Sequence, residues 1–134
     1  MNVLVDTSVW SLALRRQSPR GSSVEHELAE LIGEGRVVML GAIRQELLSG
    51  IRAVEQFKKL RDSLRAFPDE LLHQDDYEAA AGCFNRCRAK GVQGSNTDFL
   101  LCAVALRRNI PILTTDADFE GFAKHLRIEL HRPR

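Results

Sequence analysis

Apolar residues fall into two kinds of pattern along this chain. Three short stretches, Asn2–Val5, Val37–Leu40 and Ile110–Leu113, are almost continuously apolar and rich in valine and isoleucine. Runs of this length read as strands buried on both faces. Between them the apolar positions space out by three or four, the mark of a helix with one buried face. Thr7–Arg15 predicts a short helix. Ser22 followed three residues later by Glu25 predicts a capping box, with Leu28, Leu31 and Ile32 on the buried side and Gly35 as the stop. A helix is expected over Ala42–Ser49, between Gly41 and Gly50. Val54, Phe57, Leu60, Leu64 and Phe67 form the stripe of another, ended by Pro68. Asp75 or Asp76 is expected to cap a helix that runs to Lys90 and stops at Gly91. Ser95 caps the next, whose nearly continuous apolar stretch Phe99–Leu106 predicts burial on most sides before Asn109 ends it. Pro111 stands at the start of its strand, where a missing N–H is tolerated. Asp116 is expected to cap a short helix through His125, and Ile128–Leu130 reads as a last, edge strand.

Strands alternating with helices predict an α/β fold with a mainly parallel central sheet covered on both faces, an α/β/α sandwich. In such sheets a ligand site lies outside the carboxyl ends of the strands. The only loop-like cluster, Arg15–Ser23, is too short to separate domains, so residues 1–134 are expected to form one domain.

Composition narrows the class. The chain has 134 residues, 44% of them hydrophobic and 28% charged, the profile of an ordinary globular protein rather than a disordered one. No apolar run approaches the roughly 18–20 residues of a membrane helix, and the first residues do not form a secretory signal. Cys83, Cys87 and Cys102 are therefore expected as reduced thiols in a cytoplasmic protein. With 19 basic and 18 acidic residues the net charge is +1, which gives no bulk attraction to nucleic acid. The basic set is skewed to 15 Arg against 4 Lys, and Arg is the better fork for phosphate or carboxylate. Basic residues gather in Arg44–Arg65 and in the tail Lys124–Arg134. Asp69–Glu78 holds five acids and no Lys or Arg. Each stretch taken alone reads first as a solvated face; either basic one can serve a phosphate-bearing substrate or an acidic partner.

The chemistry sits in four other acids. Asp6 directly follows the first strand, and Asp116 follows the third within Leu113-Thr114-Thr115-Asp116-Ala117-Asp118-Phe119. Glu46 lies on the helix after the second strand, and Asp98 in the first turn of the apolar helix. Four carboxylates from four segments can meet at the carboxyl edge of the sheet. Two like charges about 4 Å apart repel by roughly 4 kcal/mol at an effective dielectric of 20, so such a cluster must take up protons or cations. All-oxygen ligation selects a hard ion, Mg2+ or Mn2+, the setting for activating water against a phosphodiester. Each acid also has a purely structural use. Asp98 fits the third position of a Ser95 capping box, Asp116 an N-cap, Asp118 a partner of the helix dipole and Glu46 an exposed helix position. Asp6 is the hardest to assign to such a role. The three thiols lack a nearby His for zinc and read as small buried apolar groups. His125 and His131 read as additions to the basic tail, and no glycine-rich phosphate loop occurs.

These residues carry a resemblance. Val3-Leu4-Val5-Asp6-Thr7-Ser8-Val9-Trp10 resembles the opening motif of the PIN domain, and Glu46-Leu47-Leu48 with Gly50 resembles its second acidic motif. Thr97-Asp98-Phe99-Leu100-Leu101-Cys102-Ala103-Val104-Ala105 is similar to its third, and Thr114-Thr115-Asp116-Ala117-Asp118-Phe119 to its fourth. The length and the closing Arg127–His131 segment resemble the VapC toxins of bacterial toxin–antitoxin pairs. The resemblance runs from Asn2 to about Leu130. It implies a Mg2+-dependent endoribonuclease with Asp6, Glu46, Asp98 and Asp116 as catalytic and metal-binding quartet. Asp6 and Asp98 are then the foremost ligands, with Thr7, Ser8 and Asp118 auxiliary. Many members carry Asn where Asp116 stands, which leaves open whether Asp116 binds the metal directly or orients a water. The resemblance further implies a homodimer and a VapB-like antitoxin that wraps the toxin and can push a basic side chain toward the acidic site.

Rival readings differ at named residues. A receiver or dehalogenase-type phosphoaspartate site needs a second acid near Asp6, where Thr7 and Ser8 stand instead. The alternatives kept within the same resemblance are a nuclease of RNA processing or decay without a toxin role, and a non-catalytic member that binds RNA or a partner.

Overall fold

A computed structural model describes residues 1–14 and 21–134 of the chain. Arg15 and the loop-like cluster up to Arg20 lie outside the described residues. Three strands, β1 (Val3–Val5), β2 (Val37–Val38) and β3 (Ile112–Leu113), pair in parallel in the order β2-β1-β3. Val3 pairs with Val37 and Leu4 with Val38 on one side, Leu4 with Ile112 and Val5 with Leu113 on the other. All three residues of the central β1 are completely buried, which is why the run carries no polar alternation.

Among the described residues seven helices accompany this sheet: α1 (Thr7–Leu14), α2 (Ser23–Gly33), α3 (Gly41–Leu48), α4 (Val54–Leu64), α5 (Gln74–Ala89), α6 (Asn96–Arg108) and α7 (Asp118–Ala123). The fold is α/β with a parallel sheet, as the alternation of patterns implies. Ser22 and Glu25 form a reciprocal capping box on α2, and Ser95 and Asp98 form another on α6. Asn109 adopts a left-handed conformation, φ 55°, at the end of α6, a conformation that Asn tolerates better than most residues. Phe99 through Ala105 of α6 are buried without interruption, so this helix is the spine of the molecule. Its main partner is α5. Phe99, Phe119 and Phe122 stack beneath it, with centroids 4.8 Å apart for Phe99–Phe122 and 5.1 Å for Phe119–Phe122. Gly94 permits this packing just before the Ser95 cap: a Cβ there would lie 2.6 Å from Phe122 Cζ.

Several expected boundaries contract. β2 keeps two of the four residues from Val37 to Leu40, because Met39 leaves the ladder to bridge Asp69. β3 begins at Ile112. Pro111 cannot donate a hydrogen bond, and its carbonyl instead accepts from Leu4 N–H at 3.0 Å. Ile128–Leu130 is not a full strand: it contributes one parallel bridge, Ile112 to Leu130, with Ile112 N–H on Glu129 O and His131 N–H on Ile112 O. Asp76 does cap α5, though from the third helical position of a capping box whose N-cap residue is His73. That helix begins at Gln74, and Asp76, three residues in, reaches back to accept the His73 N–H at 2.8 Å. α7 covers Asp118–Ala123 only, and Ala117 rather than Asp116 is its N-cap residue. The α4 stripe is incompletely covered: Leu64 is buried, Phe57, Leu60 and Phe67 are half-buried, and Val54 is 64% exposed.

The charged stretches settle largely on one another. Asp69 pairs with Arg44 at 2.9 Å and Glu70 with Arg108 at 2.7 Å. Asp76, buried completely, holds both Arg107 (2.8 Å) and Arg108 (2.6 Å). Part of the tail is tied down, since His131 and Arg134 both engage the buried Glu27, at 2.5 and 2.9 Å, and Arg134 also engages Glu34, while Lys124, Arg127 and Arg132 stay exposed. The three cysteines are buried free thiols, and no described helix is long and apolar enough to cross a membrane.

Candidate active site

Asp6 is the hinge between sheet and helix. Its N–H donates to Leu113 O at 2.9 Å, closing the β1–β3 ladder, and its own carbonyl accepts from Val9 N–H at 3.1 Å, opening α1. The carboxylate is thus held at the carboxyl edge of the sheet and at a helix N-terminus, where negative charge is favoured. It is 6% exposed. Oδ2 accepts from Ser8 Oγ and Thr114 Oγ1, each at 2.8 Å. A hydroxyl has one proton, so both are spent here, and the 3.3 Å approach of Ser8 Oγ to Thr114 Oγ1 adds no third bond. Each hydroxyl is itself fixed by a main-chain N–H: Ser8 Oγ accepts from Thr115 at 3.1 Å, and Thr114 Oγ1 from Asp116 at 3.0 Å.

The other acids arrive from three directions. Asp98 sits in the first turn of α6, where Oδ2 accepts the Ser95 N–H at 3.0 Å. Asp116 follows β3, and its Oδ1 accepts the Asp118 N–H at 2.9 Å. Glu46 projects from α3, exposed, and its Oε1 accepts from Thr7 Oγ1 at 3.0 Å. Both hydroxyls considered for a phosphate, Thr7 and Ser8, are therefore bonded to carboxylates. Asp118 is exposed and enters through its backbone alone.

One regularity links the four. Each carboxylate has one oxygen bonded to a neutral donor, while Asp6 Oδ1, Asp98 Oδ1, Asp116 Oδ2 and Glu46 Oε2 accept from no described residue. No described Lys, Arg or His pairs with any of them. The lack of counter-charge is felt at Asp98. Burial, and then the nearby charges of Asp6 and Asp116, push its carboxyl above the ordinary value against the lowering bonds from Ser95. Asp6, Asp98 and Asp116 thus share one electrostatic site, and Glu46 reaches it through Thr7 beside Asp6. As placed, no three Asp, Glu, His or Cys side chains among the described residues close on a single point to ligate an ion. The donor set nevertheless fits a hard divalent cation: all oxygen, net negative, each group with an oxygen to spare.

Thr114 is the residue that sequence reasoning left out of the site. Its signal was the rule that flagged Asp6, a polar residue directly after a buried strand.

A family model described as the PIN domain matches residues 3–125. Ribonuclease VapC11 of Mycobacterium tuberculosis is 32% identical over 128 residues, covering 91% of this chain and 92% of that protein. Among solved structures, that of VapBC2 from Rickettsia felis bound to a DNA fragment from their promoter contains a chain that superposes with a TM-score of 0.77. It is 18% identical, and 98% of both chains is covered. A toxin–antitoxin complex from Klebsiella pneumoniae contains another, with a TM-score of 0.65 at 17% identity over 99% of this chain and 98% of that one.

Proposed function

The chain belongs to the PIN-domain family and to its VapC ribonucleases, and from that premise we propose that it is an endoribonuclease hydrolysing RNA phosphodiester bonds at the Asp6–Glu46–Asp98–Asp116 crevice with Mg2+, or Mn2+ in its place. The observation that carries this reading is the unengaged oxygen on each of four carboxylates that no described cation neutralises. A divalent ion bound there supplies a more acidic water and offsets the charge that builds on the phosphate.

The chain's own groups prepare that step. Ser8 and Thr114 fix the Asp6 carboxylate through Oδ2 and leave Oδ1 without a bond, so little side-chain search is left for the moment of binding. Thr7 holds Glu46, which exposure would otherwise leave to wander. The Ser95 N–H and the Asp118 N–H anchor Asp98 and Asp116 from the main chain. Hydrolysis adds water across the P–O bond, and the departing oxygen takes up the proton. No His or Lys stands among the described bonding partners of the four acids.

The cytoplasm, where RNA is met, is the proposed location, with residues 1–134 acting as one domain. A VapB-like antitoxin is the proposed inhibitor, and a second copy the proposed dimer partner. Apolar surface for such contacts exists. α1, α3 and α4 bound a groove of about 640 Å3 lined in part by Leu14, Leu47, Ile51 and Leu60. The deciding experiment is cleavage of total RNA by the purified protein with Mg2+, with Mn2+ and with EDTA, and by Asp6→Asn. Cleavage that needs both the metal and Asp6 is expected. Equal cutting by Asp6→Asn in a preparation free of other nucleases would overturn the assignment.

A further inference from the structure

Apart from the acids, the surface carries a groove that no catalytic role accounts for. It lies between α5 and α6, encloses about 420 Å3, and is lined chiefly by Tyr77, Phe84, Asn85, Asn96 and Thr97. Thr97 precedes Asp98 and also lines the depression that contains Glu46. The groove thus meets the Glu46 depression at Thr97, one residue before Asp98 along α6, while none of the four acids lines the groove itself. No residue lining it carries a charge. At its other end Phe84 and Phe99 separate it from a hollow that holds Arg88.

The sequence of α5 shapes this groove. Tyr77, Ala80, Ala81, Phe84 and Asn85 recur at three- and four-residue spacing and so share one face. Two aromatic rings stand two turns apart with only alanine methyl groups between them. Tyr77 is 56% exposed, high for a large aromatic, and Phe84 is braced edge-on against Phe99 with centroids 5.5 Å apart. The exposed amides of Asn85 and Asn96 bond to no described residue. An uncharged notch with aromatic walls and free amide donors and acceptors, flanked by an arginine, matches one ligand class well. Unstacked bases of single-stranded RNA are held by stacking on aromatic rings and by hydrogen bonds to their edges.

We propose that the α5–α6 groove seats one nucleobase of a single-stranded RNA, next to the phosphate placed at the acids, with Tyr77 and Phe84 stacking on it and Asn85 and Asn96 reading its edge. Arg88, beyond Phe84, is positioned for the phosphate of the following nucleotide. The groove thereby contributes to which RNA is cut, a choice the acidic quartet cannot make because it contacts only phosphate. The inference rests on RNA being the substrate.

The test is photo-crosslinking of the whole chain to short single-stranded RNAs of random sequence that carry thiouridine, in Mg2+, so that the same samples report cleavage. Binding is measured in parallel for Tyr77→Ala and Asn85→Ala, both exposed positions where folding is spared. Crosslinks at Tyr77 or Phe84 and roughly tenfold weaker binding by Tyr77→Ala are expected, the size of one lost stacking contact. Cleavage by the unaltered chain with crosslinks only outside α5 and α6, and full binding by both variants, would overturn the base seat and leave the nuclease standing. Absence of both cleavage and binding would overturn the nuclease reading together with it. A Tyr77→Ala chain that sediments as a monomer where the unaltered chain is a dimer, yet binds RNA unchanged, would give the groove to a second copy instead.

Discussion

The stretch from Asp69 to Glu78 and the crevice at the carboxyl edge of the sheet both gather carboxylates, five in the first and four in the second. Around the first, the fold supplies arginines: Arg44 to Asp69, Arg108 to Glu70 and Asp76, Arg107 to Asp75 and Asp76. Around the second it supplies only hydroxyls and main-chain N–H groups, one oxygen of each acid at a time. The carboxyl of Asp76 is held well below the ordinary range, chiefly by its bonds from Arg108, while that of Asp98 is raised by burial and by its neighbours' charge. A run of acids is thus not a site in itself. On the proposed reading, a site is marked by negative charge that the chain orients and then leaves for something else to neutralise.

The largest expected effect that separates the two regions is at Asp76. Asp76→Ala leaves Arg107 and Arg108 facing a cavity at the α5–α6 junction and is expected to cost about 3 kcal/mol, read by denaturant unfolding. The pH dependence follows from the sign of the shift. Asp76, Glu27 and Glu34 all have carboxyls lowered in the folded state, Glu34 to about 2 by its bonds from Arg134 and Arg36. Their contribution is full above the unfolded values near 4 and is lost as pH falls through the folded ones. Unfolding free energy should therefore decline on acidification below about pH 4, and less steeply in Asp76→Ala. Specific cleavage per folded molecule should be unchanged in that variant; a large loss would mean that the two regions are coupled.

Next in size is the support of Asp6. Ser8→Ala removes one of the two hydroxyls on Oδ2 and should lower metal affinity or cleavage by roughly 10–100-fold with little change in stability. No change in either would mean that the Asp6 carboxylate is oriented without Ser8.

The smallest measurable change in stability has the opposite sign. Asp98→Asn keeps an oxygen to accept the Ser95 N–H yet removes a charge that burial and Asp6 disfavour. It should raise stability in the absence of metal by about 0.5–1 kcal/mol while abolishing cleavage. Destabilisation would show that the crevice charges are already compensated.

The sequence made one of these regions easier to read than the other. Asp6 and Asp116 could be placed because each lies a residue or a few beyond a buried strand, and the capping box of Ser95 and Asp98 is a three-residue relation. Such local signals survive folding. The pairing of Asp76 with Arg107 and Arg108 spans more than thirty residues, and nothing in the periodicity of α5 or α6 announces it. The same limit explains the strands. Apolar runs mark where β2 and β3 pass through the core, but their length in the ladder is set by Met39 turning to Asp69 and by Pro111 lacking a donor. His131 and Arg134 looked like a free basic tail because their partner, Glu27, is a buried acid on α2, a placement its helix pattern did not single out. Thr114 stayed out of view because hydroxyl residues are common after strands, and only the geometry shows its proton spent on Asp6.

The central claim, that the crevice is an oriented set of acids awaiting a divalent cation, is tested most directly by titrating Mn2+ into the protein and following the loss of the free-ion resonance. Asp6→Asn and Asp76→Ala are titrated alongside. Saturable binding by the unaltered chain and by Asp76→Ala, with binding lost in Asp6→Asn, is the predicted result. Binding that persists unchanged in Asp6→Asn, or that disappears only in Asp76→Ala, would contradict it and move the metal to the other acidic region.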